Sequence, residues 1–454
     1  MFTGGPQAYW ATYLISSVFI LITAAVLAEI CSSLPAAGSI YFWAAESGGP
    51  KYGRLLGFTV AWWSTTAWTS FVAVNSVAPA NYILSQIAVF KLDFTLDTSD
   101  IHFRVVQWIV SEIFLVIAMM VNYMPPRWYK FVFRGATCLV MLDFILNIIW
   151  LPIAVSKSYG FQRAEFFTEY INMSGGPVVY VWMLGFFATA GVQIGFDASG
   201  HVAEETKNAS LVAARGLFWS AVASVGVGIV CVFLFLVCAP ELDILFASKA
   251  PNIFVPYYAL ALGNGGQIFM VTIVILATLA STAVSAVAAS RLVFAIARDG
   301  VLPFSSWIGK VSPNGQPKNA LTVIGCAAAI LICTVLPSSV AFQSLVSCAG
   351  VPTVSAWGLI SFARCFITPH ALKSSKFSLG RYSTSMQLIA FVWNTYLAII
   401  LFSPLQYPVT STNFNYAPVV MGIITIFALT CWVVFPESAW LQARGIRNII
   451  ESGS

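Results

Sequence analysis

The chain has 454 residues, of which 59% are hydrophobic and only 9% charged, with a net charge of +5. A soluble domain carries about 25% charged residues, so this composition excludes a soluble globular fold. The Lys and Arg lie in short loops, where they set membrane orientation instead of forming a nucleic-acid surface.

Mean hydropathy is +0.84, and one apolar run follows another along the chain. About 20 apolar residues span the roughly 30 Å hydrocarbon core as a helix. Continuous runs, unlike the short alternating segments of a β-barrel, are helical. The expected fold class is an all-α polytopic membrane protein. Eleven spans are predicted, at 8–29, 56–84, 105–122, 133–155, 178–198, 213–238, 266–290, 319–336, 341–366, 386–404 and 417–436. The nine Cys lie in or beside apolar runs with no CxxC, and the three His are scattered. No disulfide framework, metal site or cofactor is expected.

Ionisable residues inside a membrane are costly and mark function by default. The first span closes on Glu29, for which a structural role at the cytoplasmic boundary is expected. The second carries "AWWSTTAWTSFVAVNS", whose Trp62, Trp63 and Trp68 are candidates for capping a cavity or for packing. The third carries Glu112 near the outer side, suited to snorkelling or a helix–helix hydrogen bond. In the fourth, Asp143 and Asn147 share a face at i,i+4; a proton or cation relay and interhelical bonding are the two readings.

The fifth span differs in kind. "VVYVWMLGFFATA", Val178 to Ala190, is about 20 Å of helix, followed by "GVQIGFDASGHVAEETKNAS". Gly191 and Gly195 bracket a segment, Val192, Gln193 and Ile194, that leaves helical geometry cheaply. Broken helices at membrane depth line cavities and mark substrate sites in secondary transporters. The carbonyls ending the outer half-helix, from Ala190 onward, favour a cationic group. Asp197 is expected in the first turn of an inner half-helix, offsetting its positive dipole end. The rival reading makes Gly191 and Gly195 a small-residue packing seam. The "HVAEE" at His201 reads as a solvated helix end and does not match HExxH. In the seventh span, Ala277, Ser281 and Ser285 form a narrow small face; Ser281, Thr282 and Ser285 either line a polar path or back-bond to carbonyls.

Of the 22 basic residues, 17 fall on one set of loops and the tail, including Lys51, Arg54, Lys373, Arg444 and Arg447, against 5 on the other. The first set is therefore cytoplasmic. Asn172-Met-Ser174 then lies outside as a glycosylation candidate, and Asn208-Ala-Ser210 inside. Met1 also lies outside with no basic leader, so an upstream span is expected.

"LAEICSSLPAAGSIYFWAAE" (27–46), "GFDASGHVAEETKNAS" (195–210) and "SRLVFAIARDGVLPFS" (290–305), followed by Pro317 and Ala320, resemble the amino acid–polyamine–organocation superfamily, most closely its fungal GABA, amino acid and choline permeases. The resemblance implies twelve spans in two inverted five-helix repeats plus two helices, with alternating access driven by protons. Here residues 1–155 would be an incomplete first repeat, 178–366 the second, 386–436 the additional pair and 437–454 a cytoplasmic tail of one transporter domain. It implies that Gly191 to Gly195 break the sixth helix, that Asp197 holds the acidic position and is, with Asp143, a candidate for proton coupling, and that Trp68, Val72, Ser281 and Ser285 face the substrate. The family's first helix, which holds the substrate carboxylate, has no counterpart. The expected activity is secondary transport of an amine-bearing solute (amino acid, GABA or choline-like), proton-coupled, in the plasma membrane ahead of the vacuolar one. The alternatives are an N-terminally truncated, non-transporting paralogue and a nutrient sensor. A membrane enzyme is disfavoured, since no His, Asp or Glu cluster has ligand or nucleophile spacing.

Overall fold

Helices that are apolar all round, with little sidedness, are stable only where lipid or protein covers every face, and the backbone of such segments must bond within the helix. The computed structural model follows this rule. It describes residues 4–435 apart from 37, 204–205, 338, 370–374 and 411–412; His370, Lys373, Arg444 and Arg447 lie outside the described residues.

In chain order the helices are α1 (Gly5–Ser33), α2 (Ser39–Ser47), α3 (Gly49–Leu84), α4 (Gln86–Phe90), α5 (Ile101–Asn122), α6 (Tyr129–Lys157), α7 (Val178–Gly191) and α8 (Ala198–His201). They continue as α9 (Ala209–Val237), α10 (Leu242–Ala247), α11 (Phe254–Arg298), α12 (Ser305–Ile308), α13 (Lys318–Ile332), α14 (Ser339–Phe366), α15 (Ser383–Phe402) and α16 (Ala417–Val434). Among the described residues, 10 helical segments are long and apolar enough to cross a membrane, and Val178–Gly191 is a shorter apolar helix. The eleven predicted spans are these ten and the broken one. The protein is a multi-pass integral membrane protein.

Local signals explain the element boundaries. Pro6 opens α1 in its first turn, where a missing N–H costs nothing. Asp100 caps α5 by accepting from the His102 N–H at 2.9 Å, and that bond holds its carboxyl below the usual carboxylate range. α11 runs 45 residues but kinks at Gly263 (φ 70°, ψ 175°), so its outer piece, with Tyr257 and Tyr258, precedes the predicted span.

One core joins α1, α2, α3, α9, α11, α13, α14 and α15, with Ala198 of α8 packed against it. α3 is central, packing on α2, α5, α11, α14 and α16. α1 lies between α9, α7 and α15. Its buried hydroxyls Thr12, Ser16, Ser17 and Thr23 bond the carbonyls four residues back, at 2.6–3.0 Å, so no donor is stranded in an apolar seam.

Candidate substrate site at the broken helix

α7 has 14 residues, about 21 Å of helix, well short of the ~30 Å core. Its last turn closes tightly: Val192 N–H donates to Ala188 O at 3.4 Å and Gln193 N–H to Ala190 O at 3.1 Å. Gly195 then takes φ +105° with nothing within 4 Å of where a Cβ would stand. Its glycine is required by the backbone and not by crowding. Ala198 N–H donates back to Gly195 O at 3.1 Å, starting the single turn of α8. The inner half-helix expected from the sequence is thus one turn long.

Gln193 anchors the unwound segment to α1. Its Nε2 donates to Tyr13 O at 3.4 Å and to Ser17 Oγ at 3.2 Å. A backbone carbonyl only accepts, so the amide nitrogen must face α1. Oε1 is turned away, buried and without a hydrogen-bond partner among the described residues. Ser16 and Thr12 of α1 reach Thr189 of α7 at 3.3 Å each, extending the seam.

Beside the break lies a cavity of about 630 Å³, within the size range of small-molecule sites. The break supplies Val192, Gln193, Ile194, Gly195 and Phe196. α3 supplies Trp68, Phe71 and Asn75; α6 supplies Phe133, Thr137 and Met141; α9 supplies Ser220 and Ser224; α11 supplies Ser281 and Ser285. Asn75 Nδ2 donates to Ser285 Oγ at 3.3 Å, tying α3 to α11 across the cavity wall. Four rings, Trp68, Phe71, Phe133 and Phe196, line it, and among the described residues none of the lining side chains carries a formal charge.

Asp197 sits behind this wall. It is the N-cap of α8, at the start of the inner half-helix, but its side chain makes no cap hydrogen bond. The turn is too short for a strong field, and the carboxylate turns along α8 toward His201, with Oδ2 3.7 Å from Nε2. His201, expected to be solvated, is 0% exposed. Its Nδ1 lies 2.6 Å from Ser39 Oγ on α2, and its ring meets Trp68 at 5.1 Å and 84°. Gly200 permits this burial, since a Cβ there would stand 3.0 Å from Trp43 and 3.1 Å from Ser39.

Other expectations divide. Val72 is buried in the core and absent from the lining; the cavity takes Phe71 and Asn75, at i+3 and i+7 from Trp68. Ala190 is also buried, its carbonyl taken by Gln193 N–H. Gly191 lies just outside the lining, in open space. Trp63 donates to Thr425 Oγ1 on α16 at 2.9 Å, and Trp62 packs edge-on against Phe427; neither caps the cavity. Thr282 back-bonds to Thr278 O at 2.9 Å. Asp143 lies off the cavity: Asn147 Nδ2 donates to its Oδ1 at 3.1 Å, and Tyr258 Oη donates to Asn147 Oδ1 at 2.7 Å. Glu112 is half-buried on α5. Asn172 is exposed, with Oδ1 accepting from Ser174 N–H at 3.1 Å.

Ser39 and His201 were not singled out by the sequence. The spacing of Asp197 and His201, four apart on one helical face, was the available signal; nothing local to Ser39 announces it.

The family model described as amino acid permease matches residues 1–426. The chain belongs to the amino acid permease family. This permease is 47% identical to the thiamine transporter thi9 of Schizosaccharomyces pombe, over 97% of this chain and 79% of that protein. It is 26% identical to an amino-acid permease BAT1 homolog of Oryza sativa subsp. japonica, over 95% of this chain and 84% of the relative. It is 24% identical to amino-acid permease 2 of Neurospora crassa, over 94% and 78%. The family assignment makes it a transporter.

Proposed function

We propose that this permease moves a small organic cation by alternating access, coupled to protons, with its solute held at the break between α7 and α8. The observation that carries this reading is the cavity wall: four aromatic rings and several hydroxyls, no formal charge among the described lining residues, and a buried carboxylate directly behind. Ring faces attract a cation by their quadrupole, and helix C-terminal carbonyls add partial negative charge. A quaternary or heteroaromatic cation is held by rings and hydroxyls of the kind the described lining supplies.

The likeness to a thiamine transporter makes thiamine, a thiazolium cation carrying an aminopyrimidine, the first solute to test, with choline second. Uptake of labelled thiamine into cells lacking their own thiamine transport is the decisive experiment. Saturable uptake that organic cations inhibit and GABA does not is expected. Saturable uptake of GABA or a neutral amino acid, with none of thiamine or choline, sinks the cation assignment. Dissipating the proton gradient is expected to abolish accumulation above equilibrium.

A further inference from the structure

Asp197 and His201 are 1% and 0% exposed, and Oδ2 and Nε2 stand 3.7 Å apart. Neither oxygen of Asp197, nor Nε2 of His201, makes a hydrogen bond of ordinary geometry among the described residues, and the Trp357 indole N–H is the neutral donor nearest the carboxylate. An ionised carboxylate buried without a partner is strongly disfavoured. One proton shared between Oδ2 and Nε2 removes that cost. Protonated Asp197 with neutral His201, or ionised Asp197 with imidazolium, both leave the pair net neutral. Because Nδ1 is engaged with Ser39, Nε2 is the nitrogen left to exchange the proton.

Among the described residues, the side chains with a stated contact to the pair carry no formal charge, while α9, with Arg215, and α11, with Arg291, also pack on α8. α2 brings Ser39, and Trp43 against Gly200; α3 brings Trp68; α14 brings Trp357, whose ring lies 4.7 Å from that of Phe196. Phe196 and Trp68 also line the cavity. Trp68 therefore touches the imidazole on one side and the cavity on the other. An imidazolium attracts an aromatic ring more strongly than a neutral imidazole does, so the proton's position biases where the indole rests.

We propose that Asp197 and His201 form a one-proton site whose occupancy is read by Trp68 in the cavity wall, which makes His201 the positioning residue linking proton to solute. The inference rests on the cavity being the solute site. When the pair gives up its proton, the N–H or O–H bond breaks, the proton passes to water, and Asp197 is left ionised beside a neutral ring. By reciprocity, whatever the solute does to that proton's affinity, the proton does to the solute's.

The test is solute binding by the full chain in lipid nanodiscs, with thiamine and then choline as probes, between pH 5 and 8. The wild-type Kd is expected to vary several-fold, and a single linked proton caps the slope at about tenfold per pH unit. His201→Asn retains an amide to pair with Ser39 and leaves the Asp197 carboxyl to titrate, but has no imidazole to carry the proton's position to Trp68. Its Kd is expected to stay within about twofold across the range. A His201→Asn slope equal to that of the wild type, or a flat wild type, overturns the proposal.

A solute-free titration of tryptophan fluorescence covers failure of binding. The wild type is expected to show a pH-dependent component that disappears in both Trp68→Phe and His201→Asn. Its persistence in His201→Asn counts against the proposal. A wild type that binds neither cation but still shows this component refutes the solute assignment and leaves the proton site standing.

Discussion

Two buried carboxylates a few helices apart illustrate how differently one chemical group is used. Glu29, 4% exposed at the end of α1, accepts from Leu379 N–H at 2.8 Å, Ser383 Oγ at 2.5 Å and Ser378 Oγ at 3.5 Å. Ser375 Oγ donates to its backbone carbonyl at 3.2 Å, so one residue pins the segment preceding α15 to the base of α1. Asp197 is buried at least as deeply, yet its oxygens make no hydrogen bond of ordinary geometry among the described residues; the Trp357 indole faces it, and the nearest basic side chain is His201 at 3.7 Å. A carboxylate with its lone pairs occupied is an anchor; one left open beside a cavity retains its capacity to take a proton. Burial alone does not separate the two, whereas the inventory of donors does.

That contrast is open to attack by mutation. Asp197→Asn should lower proton-driven uptake by about tenfold to a hundredfold, within the usual range of a coupling free energy, while the thermal midpoint of the purified protein barely moves. Glu29→Ala should do the reverse. Stranding the Leu379 N–H and Ser383 hydroxyl costs about 2–4 kcal/mol, read as a lower midpoint, with uptake per folded molecule retained. If Asp197→Asn unfolds the protein and Glu29→Ala leaves its stability intact, the two roles have been exchanged.

Gly195→Ala sharpens the comparison on the backbone side. Forcing a Cβ onto φ +105° costs about 1–3 kcal/mol, whereas Gly191→Ala, in helical geometry with open space around it, should be close to neutral in the same melting measurement. Ser285→Ala removes the acceptor of Asn75 and should weaken solute binding by about 0.5–1.5 kcal/mol in a binding isotherm. Trp63→Phe, which loses only the bond to Thr425, should cost about as much in stability and nothing in solute affinity.

Much of this was already written in the order of residue types. Span number and fold class follow from apolar run length, because a bilayer admits little besides helices of that length. The break at Gly191 to Gly195 was legible because glycine spacing and an apolar run of half length both interrupt a span. Trp68, Ser281 and Ser285, which the resemblance turned toward a substrate, line the cavity. The resemblance also placed Val72 at the site, yet Val72 is buried in the core while Phe71 lines the cavity; one residue is 100° of rotation, and only packing against neighbouring helices sets that angle.

The remainder came from contacts between residues far apart in the chain. Ser39 meets His201 across 162 positions, and Gln193 meets Tyr13 across 180; no local pattern encodes either meeting. His201 looked solvated because polar residues surround it in sequence, yet the close approach of Gly200 to α2 buries it. Likewise the sequence marked Glu29 and Asp197 alike as acids in apolar surroundings. What separates an anchor from a proton site is which donors other helices bring within about 3 Å.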